Sequence, residues 1–167
     1  YGGDPTRLYL MGHSAGGHAV SLAASHPELL ARHGVDREQV RGCILVSSGR
    51  ATCRKGWLFP TEQLASDASL TAHLPHPLTE ASRQSQTAVN SIPPLLLLLS
   101  ELEALSCLRR TQSLHALLAA AGAHVRLQWF PLHTHMSEIL LVGTVEDYVT
   151  ELVAQYVGLK VNRESDE

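Results

Sequence analysis

Arg7-Leu8-Tyr9-Leu10-Met11-Gly12-His13-Ser14-Ala15-Gly16-Gly17-His18 is the stretch on which the fold turns. Arg7 to Met11 is a short apolar run between Pro5 and Gly12, and it predicts a buried strand. Ala15 to Ser25 is small and apolar, stops before Pro27, and predicts a helix. Between them stands Gly12-His13-Ser14-Ala15-Gly16, a match to G-x-S-x-G in the strand-turn-helix setting that an exposed serine nucleophile requires. So tight a turn strains the serine backbone, and glycines at the two flanking positions remove side chains that would collide with strand and helix. The Ser14 hydroxyl is then expected at the carboxyl end of the sheet. It also lies at the helix N-terminus, where the Ala15 amide can donate to a developing oxyanion. The plainer alternative is a glycine-rich turn with an incidental serine.

Outward from this segment, Val40 to Val46 predicts a second buried strand. Leu95 to Leu99, after Pro93-Pro94, predicts a third. Leu108 to Ala121 predicts a helix ended by Gly122. Ala123 to Phe130 alternates and predicts a fourth strand, followed by a loop over Pro131 to Ser137 and an amphipathic helix over Thr144 to Val157. Arg50 to Asn90 has no sustained periodicity and reads as loops and short helices, the natural place for a cap or pocket wall. Val161 to Glu167 is a polar tail. Strands alternating with helices predict an α/β fold: a three-layer αβα sandwich over residues 1–160 with a mostly parallel sheet of about four strands.

Composition excludes several classes. The 167 residues are 44% hydrophobic and 17% charged, which argues against disorder. A net charge of -3 and 5% aromatics disfavour a nucleic-acid partner. The most apolar run, Ile92 to Leu99, is far short of the ~20 residues of a membrane span and holds two prolines. Cys43, Cys53 and Cys107 form no CxxC pair; an odd, scattered set fits reduced thiols, and so weakly a cytoplasmic setting, better than a disulfide framework.

A serine hydroxyl needs a base, and the chain offers ten histidines. His13 and His18 flank Ser14 on its own turn and helix. His26, His33, His115 and His124 fall near element ends, and His73 and His76 in the irregular segment. His133 and His135 lie in the loop after the last predicted strand, and of these His135 is preferred. The His-x-His spacing also raises a metal site, but no Cys, Asp or Glu cluster accompanies it in sequence. The acid that orients the base is sought after the preceding strand, in Leu99-Ser100-Glu101-Leu102-Glu103. Glu101 and Glu103 are both candidates there, against the alternative of an exposed acidic helix start.

The segment Tyr1 to His18 resembles the corresponding region of carboxylesterase-type α/β-hydrolases, among them prenylcysteine methylesterases, arylformamidases and the feruloyl and acetyl-xylan esterase group. The likeness continues at Ile92 to Leu98, Gly122 and Thr134-His135. Counting without gaps from Pro93-Pro94, the family's P-P-L-L-L-x-H-G-x-x-D places its H-G on Leu99-Ser100 and its acid on Glu103. The resemblance implies hydrolysis of a small-molecule carboxylic ester with Ser14 as nucleophile, His135 as base and Glu103 as acid. Ala15 would supply an oxyanion-hole amide, with no metal or organic cofactor. Formamidase-type amide hydrolysis and a non-catalytic hydrolase-like interaction module are the alternatives. The family carries further strands and a glycine-rich oxyanion loop ahead of the position of Tyr1. The chain therefore reads as the C-terminal half of such a hydrolase, expected to be weakly active as given and to self-associate through an uncovered sheet edge.

Overall fold

The computed structural model describes residues 2–49, 61–67 and 92–159. Strand β1 (Leu8–His13) leads into helix α1 (Ala15–Ser25), the short helix α2 (Pro27–Ala31) and strand β2 (Val40–Val46). Helix α3 (Glu62–Asp67) lies within the segment read as irregular. Strand β3 (Leu95–Ser100) is followed by helix α4 (Leu105–Ala120), strand β4 (Val125–Phe130), the one-turn helix α5 (Ser137–Leu140) and helix α6 (Val149–Val157). The strands form a four-stranded parallel sheet in the order β1-β2-β3-β4.

β2 and β3 are the inner strands, and their near-continuous apolar sequences reflect burial on both faces. Alternate residues serve opposite layers. Cys43, Leu45, Leu95 and Leu97 pack with Ala24 of α1 and Leu114 and Leu118 of α4. Ile44, Val46, Leu96 and Leu98 pack with Val149 of α6 and, around its rim, Leu152 and Tyr156. Helices therefore cover both faces, which makes the expected three-layer αβα sandwich. Gly42 makes room in β2 for the ring of Tyr156, where a Cβ would stand 2.6 Å from the phenol oxygen. The phenol hydroxyl donates to the Pro94 carbonyl at 2.7 Å.

Some boundaries differ from expectation. β1 runs two residues further than Met11, up to the residue before Ser14, because its pairing with β2 continues through Gly12↔Leu45 and His13↔Val46. α6 begins at Val149 rather than Thr144. The Asp147 carboxylate accepts from the amides of Gly143 and Thr150, and these bonds organise a turn ahead of the helix. The expected loop over Pro131 to Ser137 gives way to α5 at its end. The rest of the expected cap (50–60 and 68–90) and the polar tail lie outside the described residues. No helix among the described residues is long and apolar enough to cross a membrane.

Candidate active site

Ser14 joins β1 to α1 with φ 53° and ψ -116°. A non-glycine residue in that region costs on the order of 1–3 kcal/mol, so its surroundings must hold it there. The Ser14 amide donates to the Val46 carbonyl at 2.9 Å, and the Ser14 carbonyl accepts from the His18 amide at 3.2 Å. Glycine requirements partly depart from the sequence reading. A Cβ on Gly12 would run into the Gly16 carbonyl group. A Cβ on Gly16, the other flanking position, meets nothing within 4 Å among the described residues. The close approach belongs instead to Gly17, whose Cβ would stand 2.5 Å from Ser48 Cβ and 2.8 Å from the Gly12 carbonyl oxygen. Gly17 is what lets α1 lie against the exit of β2.

The loop after β4 brings His135 to Ser14. His135 Nε2 lies 2.9 Å from Ser14 Oγ, and His135 Nδ1 lies 2.8 Å from Glu103 Oε2. A carboxylate only accepts, so Nδ1 carries the proton and Nε2 is left to accept from the serine hydroxyl. The loop is braced locally: the Ser137 amide donates to Thr134 Oγ1 at 3.3 Å, and the Thr134 amide donates to Ser137 Oγ at 2.9 Å. These reciprocal bonds close the turn that carries His135 just ahead of α5.

Glu103 is 8% exposed, directly before α4. Burial raises its carboxyl pKa, but hydrogen bonding, first to His135 and then from the Ala104 amide, outweighs burial and holds it below its ordinary value. The other sequence candidates are placed elsewhere. Glu101 is exposed, and its carboxylate accepts from the Leu132 amide at 3.2 Å. His133 is 3% exposed, bonds to the Pro131 carbonyl through Nδ1, and packs edge-on against Phe130 and Tyr148. It is a core histidine. Ala15 is the first residue of α1, where a helix amide has no internal acceptor, beside Ser14.

Two residues escaped the sequence reading. Glu138, in α5, is 1% exposed. Its Oε2 accepts from the Ser47 hydroxyl at 2.8 Å, and its Oε1 lies 2.9 Å from His13 Nε2. Burial, opposed by the Ser47 bond and the His13 charge, raises its carboxyl pKa. Ser47 leaves β2 at φ 42°, which turns its hydroxyl to that acid. The only signal for Glu138 in the sequence is its place three residues after His135. Cys107 also lies near: burial, then the Glu103 charge, pushes its thiol up to about 11, so it stays neutral and weakly nucleophilic.

Two trios among the described residues are close enough to share a metal ion: His13, His135 and Glu138, and Glu103, Cys107 and His135. The acids that the His-x-His spacing lacked in sequence are thus supplied by the fold around His135, while His133 joins neither trio. Both ring nitrogens of His135 are already engaged within the protein, and the thiol of Cys107 is protonated. The donor set therefore suits hydrogen bonding better than coordination.

No family model and no curated protein matches the sequence. Solved structures do match. Paraoxon-phosphorylated esterase 2 of Thermogutta terrifontis is 17% identical, with a TM-score of 0.64 over 97% of this chain and 58% of its own. Carboxyl esterase 2 of the mycorrhizal fungus Tuber melanosporum is 17% identical, with a TM-score of 0.57 over 93% of this chain and 55% of its own. Esterase Est22 is 20% identical, with a TM-score of 0.56 over 92% and 47%. The chain shares the α/β fold of these esterases over the part it covers, about half to three-fifths of their length.

Proposed function

We propose that the protein is a serine hydrolase of carboxylic esters. The observation that carries this reading is the relay Ser14–His135–Glu103, with contacts of 2.9 and 2.8 Å, at a strained strand-to-helix turn. In the reaction, Ser14 Oγ attacks the acyl carbon while its proton passes to His135 Nε2. The imidazolium forms beside the ionised Glu103. The carbonyl oxygen becomes an oxyanion, which the Ala15 amide stabilises in this reading. Collapse breaks the bond to the alkoxy group, which leaves as the alcohol with the proton from His135. Water then attacks the acyl-serine by the same route, releasing the acid and restoring the hydroxyl. None of these steps calls on a metal or an organic cofactor.

The esterase neighbours support the reaction class, and one of them, the Thermogutta terrifontis esterase, is known with butyrate and with propionate bound. A short-chain ester such as p-nitrophenyl butyrate is the first substrate to try. Labelling with a fluorophosphonate tests the nucleophile without knowledge of the substrate. Ser14 is expected to be the labelled residue and Ser14→Ala to lose both labelling and turnover. A folded chain that neither reacts with the probe nor hydrolyses esters would instead be a hydrolase-like interaction module.

A further inference from the structure

We propose that His13 and Glu138 are positioning residues that clamp the loop of His135 to the serine turn. His13 Nε2 lies 2.8 Å from the main-chain carbonyl oxygen of His135. A carbonyl only accepts, so His13 carries its proton on Nε2 and donates. The two rings also meet, with centroids 4.6 Å apart and planes tilted by 42°. His13 thus holds both the backbone and the ring of His135, and it is covalently joined to Ser14. The span between base and nucleophile is closed by one peptide bond on one side and one hydrogen bond on the other.

Glu138 completes the clamp from the helix that follows His135. Its Oε1 is 2.9 Å from the same His13 nitrogen, yet makes no directed hydrogen bond, because the single N–H points at the carbonyl. The carboxylate acts there as a charge beside the N–H. Its other oxygen is tied to Ser47 at the end of β2, and its amide donates to Thr134 at 3.2 Å. Three separate elements therefore converge on the base: the end of β1, the exit of β2 and α5. The relay itself needs none of these contacts, since Ser14, His135 and Glu103 touch directly. What the clamp supplies is a fixed distance, and a misplacement of about 1 Å can cost on the order of 100-fold in rate.

The inference deepens the hydrolase reading, so its test carries a readout that does not depend on it. His13→Phe keeps a ring and removes the donor; His13→Gln returns an N–H near the position of Nε2. Histidine ¹⁵N NMR reads the tautomer and environment of His135 in each folded variant, and fluorophosphonate labelling reads the rate at Ser14. His13→Phe is expected to shift the His135 ring signals away from the single Nδ1–H form and to slow labelling about 10- to 100-fold. His13→Gln is expected to restore most of both, and Glu138→Gln to give an intermediate shift. A role in stability alone would lower the unfolding midpoint and leave the His135 signals of the folded fraction unchanged. Unchanged signals and labelling in His13→Phe would overturn the proposal. Shifted signals in a chain whose Ser14 never reacts would sustain the clamp and defeat the hydrolase reading.

Discussion

Glu103→Gln alters one atom of the relay, and neither orientation of the new amide fits. Glu103 Oε2 faces His135 Nδ1 and Oε1 faces the Ala104 N–H, each at 2.8 Å. If the amide oxygen faces Nδ1, the NH₂ group opposes the Ala104 N–H, and two donors meet in a buried place at a cost of about 1–3 kcal/mol. If the NH₂ group faces Nδ1, that nitrogen must be bare and the proton moves to Nε2, which then cannot accept from Ser14. In both cases the imidazolium loses its counter-charge. At 2.8 Å and an effective dielectric of ~20 that attraction is about 6 kcal/mol. It is an upper figure, because the His135 side chain is 35% exposed and water screens it. The comparable change in a Ser-His-Asp triad costs ~10⁴ in rate, or about 5.4 kcal/mol. The expected loss here is therefore ~10³ to 10⁴, read as kcat/KM on p-nitrophenyl butyrate and as the labelling rate of Ser14. Glu101→Gln should stay close to the parent, since its partner is the Leu132 amide. A Glu103→Gln rate within tenfold of the parent, or a worse Glu101→Gln, would refute the assignment of the acid.

Further outcomes follow from the packing and the buried acids. Gly17→Ala is expected to destabilise by about 1–3 kcal/mol or more through collision with Ser48 and the Gly12 carbonyl, and Gly16→Ala much less; urea unfolding midpoints compare them. Glu103, whose carboxyl pKa is lowered on folding, contributes stability present above its ordinary value of 4.5 and lost as pH falls below it. Glu138, whose pKa is raised, works the other way: stability is lost as pH rises from 4.5 through its folded value. Glu138→Gln should remove that second decline from a pH series of unfolding midpoints. Among the described residues, the edge of β1 away from β2 has no strand partner. Such an edge recruits other chains, so we propose self-association, visible as a concentration-dependent mass in sedimentation. A strict monomer across the micromolar range would count against it.

The local elements were legible in the sequence because they rest on near-neighbour chemistry. Leu8 to Met11, Val40 to Val46 and Leu95 to Leu99 are apolar runs cut by glycine and proline, and all three are strands. Ala15–Ser25 is helical over the span expected, because Pro27 and the small residues before it act through adjacent turns. The serine turn was readable for the same reason: strand, glycine, serine and helix are contiguous. Thr144 to Tyr148 misled because its pattern suits a helix, while Asp147 bonds to backbone amides on either side of it and favours a turn.

What only the tertiary structure decided concerns groups distant along the chain. Glu101 and Glu103 are two residues apart and chemically alike. The backbone course after β3 sends one to solvent and the other to His135 across 32 positions. His133 and His135 part in the same way, one into the core against Phe130 and the other toward Ser14. The clearance expected of Gly16 is needed at Gly17 instead, because the obstacle, Ser48, comes from a neighbouring strand's exit. Glu138 and His13 meet across 125 positions, and neither carries a local signature of the other. Hydrophobic period and turn chemistry are properties of a window of residues and can be read along the chain. Which of two equivalent side chains reaches a site depends on the direction of each Cβ once the sheet and its loops are in place, and that is a property of the fold.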